Sequence, residues 1–248
     1  MWIGQKRLIT LLDSVIPALK AGENMNFLFR GPSGFGKTKL ACMLALEIEN
    51  ESNIQIELPD RLGDVYVDKT KRVIILDEIH NARQPENLYP LMDSKQYVFL
   101  LCTNESGELK EPLQNRCIPL IFDDYSIEEI QEIVRYYLPE IPEDYVVMIA
   151  DCCQLNPRIC KDIVVKHLSV IFKYRYPKDI DELKDIIENT LQIQNGLNVE
   201  QRRYLEFLEK VTRASLDLIS NVLRIDKGTI QRDIEPFLIR SNKIRITP

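Results

Sequence analysis

Histidine is scarce in this chain, and cysteine lacks the spacing of a metal site. The 248 residues hold two histidines, His80 and His167, too few to build a histidine-based metal centre. Cys42, Cys102, Cys117, Cys152, Cys153 and Cys160 are scattered through apolar contexts. They show neither the ligand spacing of a zinc site nor the density of a small secreted domain, which makes them reduced core residues. No apolar run approaches the roughly 20 residues that span a bilayer, and the first residues lack the charged-then-apolar layout of a signal peptide. A cytoplasmic protein with no membrane association is expected. Nor is there a basic excess. Lys and Arg number 32 against 38 Asp and Glu, a net charge of -6, so any DNA contact must be confined to a local patch. The length accommodates one domain with accessory modules.

What is present is concentrated in two short motifs. Gly31-Pro32-Ser33-Gly34-Phe35-Gly36-Lys37-Thr38 follows apolar Phe27-Leu28-Phe29 and precedes a helical run that opens at Lys39. A strand that turns on glycines into a helix gathers backbone N–H groups and a positive helix end around an anion. Lys37 would reach the β and γ phosphates of ATP, and Thr38 would offer its hydroxyl to Mg²⁺. The second motif is Val73-Ile74-Ile75-Leu76, an apolar run suited to a buried parallel strand, which ends in Asp77-Glu78-Ile79-His80. Carboxylates at a strand's C-terminal end stand where open α/β sheets bind ligands. Asp77 would hold Mg²⁺ through water, and Glu78 would orient or deprotonate the attacking water.

Short hydrophobic runs at 27–29, 54–58, 73–76, 97–101 and 118–122 alternate with helical or turn segments, as in a parallel αβα sheet. Beyond Asp124 the pattern becomes helical. Ser126 and Glu129 form a capping box, and Ile127, Ile130, Val134 and Tyr137 form one apolar stripe. A second helix is expected through Ile159, Ile163, Val164, Leu168 and Ile171, until the neighbourhood of Pro177 interrupts it. The expected divisions are a nucleotide-binding core at 1–124, a helical lid at 125–176 and a third unit at 177–248.

In the third unit one helix is marked by Leu205, Leu208 and Val211, a second by Leu216, Ile219 and Val222, and a third by Ile230, Ile234, Phe237 and Leu238. A Gly-containing turn, Arg224 to Gly228, joins the last two, and the segment from Ile244 to Thr247 reads as extended. Helices across a tight turn followed by a strand describe a winged helix-turn-helix. From Arg224 onward the chain carries a local excess of basic residues, and Lys227, Arg232, Lys243 and Arg245 are the candidate DNA contacts.

These residues together resemble RuvB, the AAA+ motor family of Holliday junction branch migration, over most of the chain. Trp2-Ile3-Gly4-Gln5 looks like the box that packs on adenine in that family, which implies a cofactor contact for Ile3. Asp77 to His80 with Leu88-Tyr89-Pro90, Leu101 to Asn104 with Gly107 and Leu109, Pro112 to Arg116, and Asn156 to Ile159 are each similar to family segments. The most specific matches lie in the tail, at Gly196-Leu197, Tyr204-Leu205, Glu235 to Ile239 and Thr247-Pro248. The resemblance implies an AAA+ αβα P-loop core with a helical lid and a C-terminal winged helix. It also implies a homo-oligomer, a hexameric ring or spiral, on duplex or branched DNA, with a recombination or replication protein as partner. Asn104 would contact the γ-phosphate or the lytic water, Arg116 would serve the ATP of a neighbouring subunit, and Arg158 would sense the γ-phosphate from the lid.

The likeness breaks in two places. Only Leu91 to Gln96 separate Pro90 from the next strand, where the family carries a long partner-docking hairpin, and the family continues with basic residues past the position of Pro248. Asn115-Arg116-Cys117 also resembles the finger segment of clamp-loader subunits. A compact DNA motor is therefore the leading expectation. A clamp-loader-like or protein-remodelling ATPase, and an ATP-switched DNA-binding adaptor, stand as alternatives.

Overall fold

The computed structural model describes residues 2–59, 65–104 and 109–245, apart from the side chain of Arg232. They fall into two compact units, Met1–Tyr125 and Ser126–Pro248. In the first, α1 (Lys6–Lys20) precedes β1 (Phe27–Arg30), α2 (Lys37–Ile48), β2 (Ile54–Glu57) and β3 (Val73–Leu76). Then come α3 (Tyr89–Asp93), β4 (Val98–Thr103), α4 (Glu111–Gln114) and β5 (Ile118–Ile121).

The five strands pair in the order β2-β3-β4-β1-β5, and every pairing is parallel. Each of the five hydrophobic runs thus forms a strand, within two residues of its expected limits. All of β3 and β4 is buried, as helices on both faces of a parallel sheet require. The edge strands are less covered: Ile56 of β2 and Ile121 of β5 are each 60% exposed. On one side of the sheet Leu28, Ile74, Leu76, Phe99 and Leu101 pack against Ile79, Leu88, Met92 and Leu113.

This strand order positions the site. β4 lies between β1 and β3, so Gly31, Asp77 and Asn104 leave the sheet side by side at the carboxyl ends of neighbouring strands. Between β3 and β4 the described residues form only 3₁₀ turns and α3, with no hairpin.

The second unit opens on α5 (Ile127–Tyr137). Ser126 accepts from the Glu129 N–H at 3.2 Å while Glu129 accepts from the Ser126 N–H at 3.0 Å, the expected capping box. Then comes α6 (Glu143–Cys152), a helix that the apolar pattern does not single out. α7 (Pro157–Lys161) continues through a π turn (Asp162–Leu168) into α8 (Ser169–Tyr174). Another unanticipated helix, α9 (Ile180–Thr190), follows.

The C-terminal helices are α10 (Val199–Val211), α11 (Leu216–Leu223), α12 (Lys227–Thr229) and α13 (Glu235–Arg240), the last two joined by a π turn, Ile230–Ile234. They enclose Tyr204, Ile219, Leu223, Ile225, Ile230, Ile234 and Leu238. Val211 and Val222 lie in the helices they mark, α10 and α11, but face outward, 40% and 50% exposed. The turn is also shorter than expected. Arg224 takes the left-handed conformation (φ 56°) that ends α11, Asp226 caps the next helix through the Thr229 N–H at 3.0 Å, and Gly228 is already helical. The expected strand past Ile244 falls partly on residues 246–247, outside the described residues, and no strand is assigned at Ile244 or Arg245.

Within the second unit, a buried amide pair joins the chain just past α6 to α10. Gln154 donates to Gln201 Oε1 at 2.8 Å and to the Gly196 carbonyl at 3.0 Å, while Gln201 donates back to Gln154 Oε1 at 3.0 Å. Both side chains are almost wholly buried, so each satisfies groups that the other would leave stranded. Both residues lie within the compact unit Ser126–Pro248.

Candidate active site

Glycine is needed at two points of the loop between β1 and α2. Gly36 has φ 92°, and a Cβ there would stand 2.9 Å from the Trp2 ring. At Gly31 a Cβ would stand 2.7 Å from the Phe122 Cβ, on backbone at φ 158°. Side chains are therefore excluded from the loop on both flanks. Phe35 points the other way. It is fully buried and meets Tyr125 edge-on at 5.5 Å, so only its backbone is available to a ligand.

The Lys37 side chain is 5% exposed. Its ammonium donates to the carbonyls of Gly31 and Pro32 at 2.9 and 3.0 Å, which partly compensates the desolvation of a buried charge. Thr38 Oγ1 donates to Asp77 Oδ2 at 2.9 Å, and the Glu78 N–H donates to Asp77 Oδ1 at 3.1 Å. The two candidate metal-binding side chains therefore touch.

Glu78 is left-handed (φ 50°), an uncommon state for a non-glycine residue. Its Oε2 lies 3.4 Å from His80 Nδ1, within ion-pair range, yet has no hydrogen-bond partner among the described residues. The contact is a loose one, because His80 Nδ1 lies closer to Thr103 Oγ1, at 3.1 Å. Asn104, just past β4, likewise has a buried Oδ1 without a partner among the described residues. Among the described residues, two acceptors thus stand without donors at adjacent strand ends. Beside them, burial pushes the Cys102 thiol far above its usual pKa, with the Asp77 charge adding to the effect, so this cysteine is a packing residue.

The N-terminal box folds onto the loop. Gly4 and Gln5 are both left-handed, at φ 77° and 54°. The buried Gln5 amide donates to the Asp123 carbonyl at 2.7 Å and accepts from the Asp123 N–H at 2.9 Å. That anchor sets Trp2 over Gly36, with Ile3 half-buried beside it and the Lys39 ammonium 5.7 Å from the Trp2 ring centroid.

Arg116 belongs to the same unit but points elsewhere. Its Nε and Nη2 donate to both carboxylate oxygens of Asp93 at 2.9 and 3.0 Å, and the Asp93 hydrogen bonds raise its already high pKa. Nothing in the sequence suggests this partner. Arg158 is exposed at the start of α7, in the second unit, where Asn156 caps its N–H at 2.9 Å.

Of the candidate DNA contacts, Lys227 is ion-paired with Asp217. Lys243 and Arg245 line an open groove of about 880 Å³ with Arg213, Glu209 and Glu235. Arg232 lies in the second π turn, and its side chain is outside the described residues. Gly107 and Thr247-Pro248, part of the family likeness, also lie outside them.

Comparison with known proteins now bears on this arrangement. Residues 27–124 match the model of the ATPase family associated with various cellular activities, AAA, and residues 194–248 match that of the RuvB C-terminal winged helix domain. The chain is a RuvB-like AAA+ ATPase. The Holliday junction branch migration complex subunit RuvB of Mycoplasma genitalium is 28% identical over 281 residues, spanning 99% of this chain and 90% of the relative. That of Wolbachia sp. subsp. Brugia malayi is 29% identical over 283 residues, 100% and 87%. The solved Thermotoga maritima RuvB Holliday junction branch migration motor superposes with a TM-score of 0.84 at 26% identity, covering 99% and 90%. The aligned span of 281 residues exceeds the 248 of this chain, so these RuvB relatives carry insertions that the RuvB-like ATPase lacks. Among its described residues no helix is long and apolar enough to cross a membrane, and no cluster of His, Cys, Asp and Glu could hold a metal by itself.

Proposed function

We propose that this ATPase is a cytoplasmic, self-sufficient DNA motor: an oligomeric ring, hexameric as the family resemblance implies, that moves or remodels duplex or branched DNA. The observation that carries this is the joining, in one chain matched nearly end to end by RuvB, of a phosphate loop to a RuvB winged helix. The chain then divides in function into a core at 1–124, a lid at 125–176 and a DNA-binding winged helix at 177–248. The short link between β3 and β4 leaves no hairpin for a docking partner, which favours action without one.

Gly31 to Lys39, with Ile3, would hold ATP. The loop N–H groups and Lys37 would bind its phosphates. Thr38 and Asp77 would hold Mg²⁺, which suits hard oxygen donors 2.9 Å apart, and the ion would supply neutralisation of phosphate charge. Glu78 Oε2 and Asn104 Oδ1, acceptors without donors among the described residues, would receive the two hydrogens of the attacking water, with Glu78 as base. Arg116 would act in the pocket of a neighbouring subunit, and Arg158 would report the γ-phosphate to the lid. Lys227, Arg232, Lys243 and Arg245 would contact DNA phosphates.

The protein-remodelling alternative gains from one observation, that Lys227 already has an acidic partner, Asp217. Hydrolysis measured against linear duplex, single strand and four-way junction, with oligomer mass, separates the two. Stimulation by DNA alone supports the motor, whereas an assembled but DNA-indifferent ATPase overturns it.

A further inference from the structure

The guanidinium of Arg116 is held on three sides. Asp93 takes Nε and Nη2 edge-on, the Pro112 carbonyl accepts from Nη1 at 2.9 Å, and the Tyr89 ring lies beneath with its centroid 4.5 Å from Cζ. Tyr89 and Asp93 are the first and last residues of α3. Residues four apart on a helix share a face, so one helical turn supplies both the floor and the wall of this cradle.

The donor inventory is informative. A guanidinium carries five N–H groups, and the contacts among described residues use three of them. One remains on each terminal nitrogen, the pair a bidentate phosphate contact needs. The Arg116 and Asp93 side chains are 30% and 56% exposed. An ion pair this open contributes little to folding. Its effect falls on the rotamers of the arginine, whose freedom would otherwise be lost at the moment of docking.

We propose that Asp93 is a positioning residue for Arg116: with Tyr89 as the floor, it fixes the guanidinium before assembly so that its two remaining N–H groups meet the triphosphate of a neighbouring subunit. This rests on the assignment of Arg116 as a finger acting in trans. α3 is therefore part of the subunit interface machinery.

The test uses the full chain, with kcat, KM, oligomer mass and the affinity of a fluorescent ATP analogue measured together. Asp93→Ala is expected to lower kcat by about 10- to 100-fold, the scale of a misplaced catalytic group, with analogue affinity and mass unchanged. Asp93→Asn, which keeps size and one acceptor oxygen, is expected to fall between it and the wild type. Mixing then locates the defect. Asp93→Ala subunits should regain activity with Lys37→Ala subunits, whose fingers are intact, and regain none with Arg116→Ala subunits.

Unchanged or raised kcat in Asp93→Ala overturns the proposal, the second result by showing a restraining latch instead. Failure of Asp93→Ala to recover with Lys37→Ala, when Arg116→Ala does recover, also overturns it and places Asp93 in its own pocket. If Arg116→Ala itself fails to recover in confirmed mixed rings, the finger assignment falls and takes this proposal with it.

Discussion

Thr38 Oγ1 donates to Asp77 Oδ2 at 2.9 Å, although 39 residues of chain separate them. Thr38 lies in the first turn of α2, which follows β1, and Asp77 stands at the end of β3, with only β4 between those strands. If this hydrogen bond marks the metal position, Thr38→Val removes one ligand and keeps the side-chain volume. Chelation of Mg²⁺ should weaken nucleotide binding by the wild type and change little in the variant. Titration of a fluorescent nucleotide with and without EDTA reads this directly, and an undiminished Mg²⁺ effect in the variant contradicts the assignment.

Glu78→Gln should bind ATP and hydrolyse it about 10²- to 10⁴-fold more slowly, the contribution typical of a general base. The amide preserves shape but cannot take up a proton. Near-normal single-turnover rates would move the base elsewhere.

Gly31→Ala introduces a Cβ 2.7 Å from that of Phe122, so the loop must shift. Nucleotide affinity should drop at least 10-fold while the thermal midpoint moves by only a few degrees, as for a strain of about 1 kcal/mol. Gly36→Ala adds backbone strain at φ 92° to its clash with Trp2, so Trp2→Leu should relieve it only in part. Wild-type affinity in Gly31→Ala would show that the loop tolerates the shift.

Gln154→Leu should destabilise the second unit by about 1–3 kcal/mol, because the buried Gln201 N–H loses its acceptor and the Gly196 carbonyl its donor. Replacing Gln154 and Gln201 together by Leu should cost less than the sum of the single changes. Denaturant midpoints of the four proteins give the coupling, and strict additivity would mean the pair does not interact.

Replacing Lys227, Arg232, Lys243 and Arg245 by Ala should weaken DNA binding with little sequence dependence. Its salt dependence should flatten, the log-log slope falling by about 0.9 for each duplex phosphate that no longer meets a cation. Because Lys227 is paired with Asp217, Asp217→Asn should strengthen binding slightly. Basal hydrolysis should persist. An unchanged slope would exclude this face as the DNA-binding surface.

The sheet was legible because a strand buried on both faces writes itself as an unbroken apolar run, and Val73–Leu76 coincides with its run residue for residue. The Ser126 capping box was equally local. α6 was harder to see, since Tyr145 to Ala150 is one continuous apolar stretch, in which helical periodicity is hard to separate. α9 carries a readable stripe, Leu183, Ile186 and Ile187, behind an Asp179 cap. At the turn before α12 the glycine draws attention, but the left-handed residue is Arg224. The loop, Thr38, Asp77 and Glu78 were visible as motifs. The hold of Asp93 on Arg116 was not, since it arises only when α3 and α4 pack.

The most direct test of a self-sufficient RuvB-like motor is a synthetic four-way junction incubated with this chain alone, Mg²⁺ and ATP, its conversion to duplex products followed over time. Products should accumulate with ATP, and neither with a non-hydrolysable analogue nor with Glu78→Gln. A junction that stays intact while ATP is hydrolysed would contradict the account.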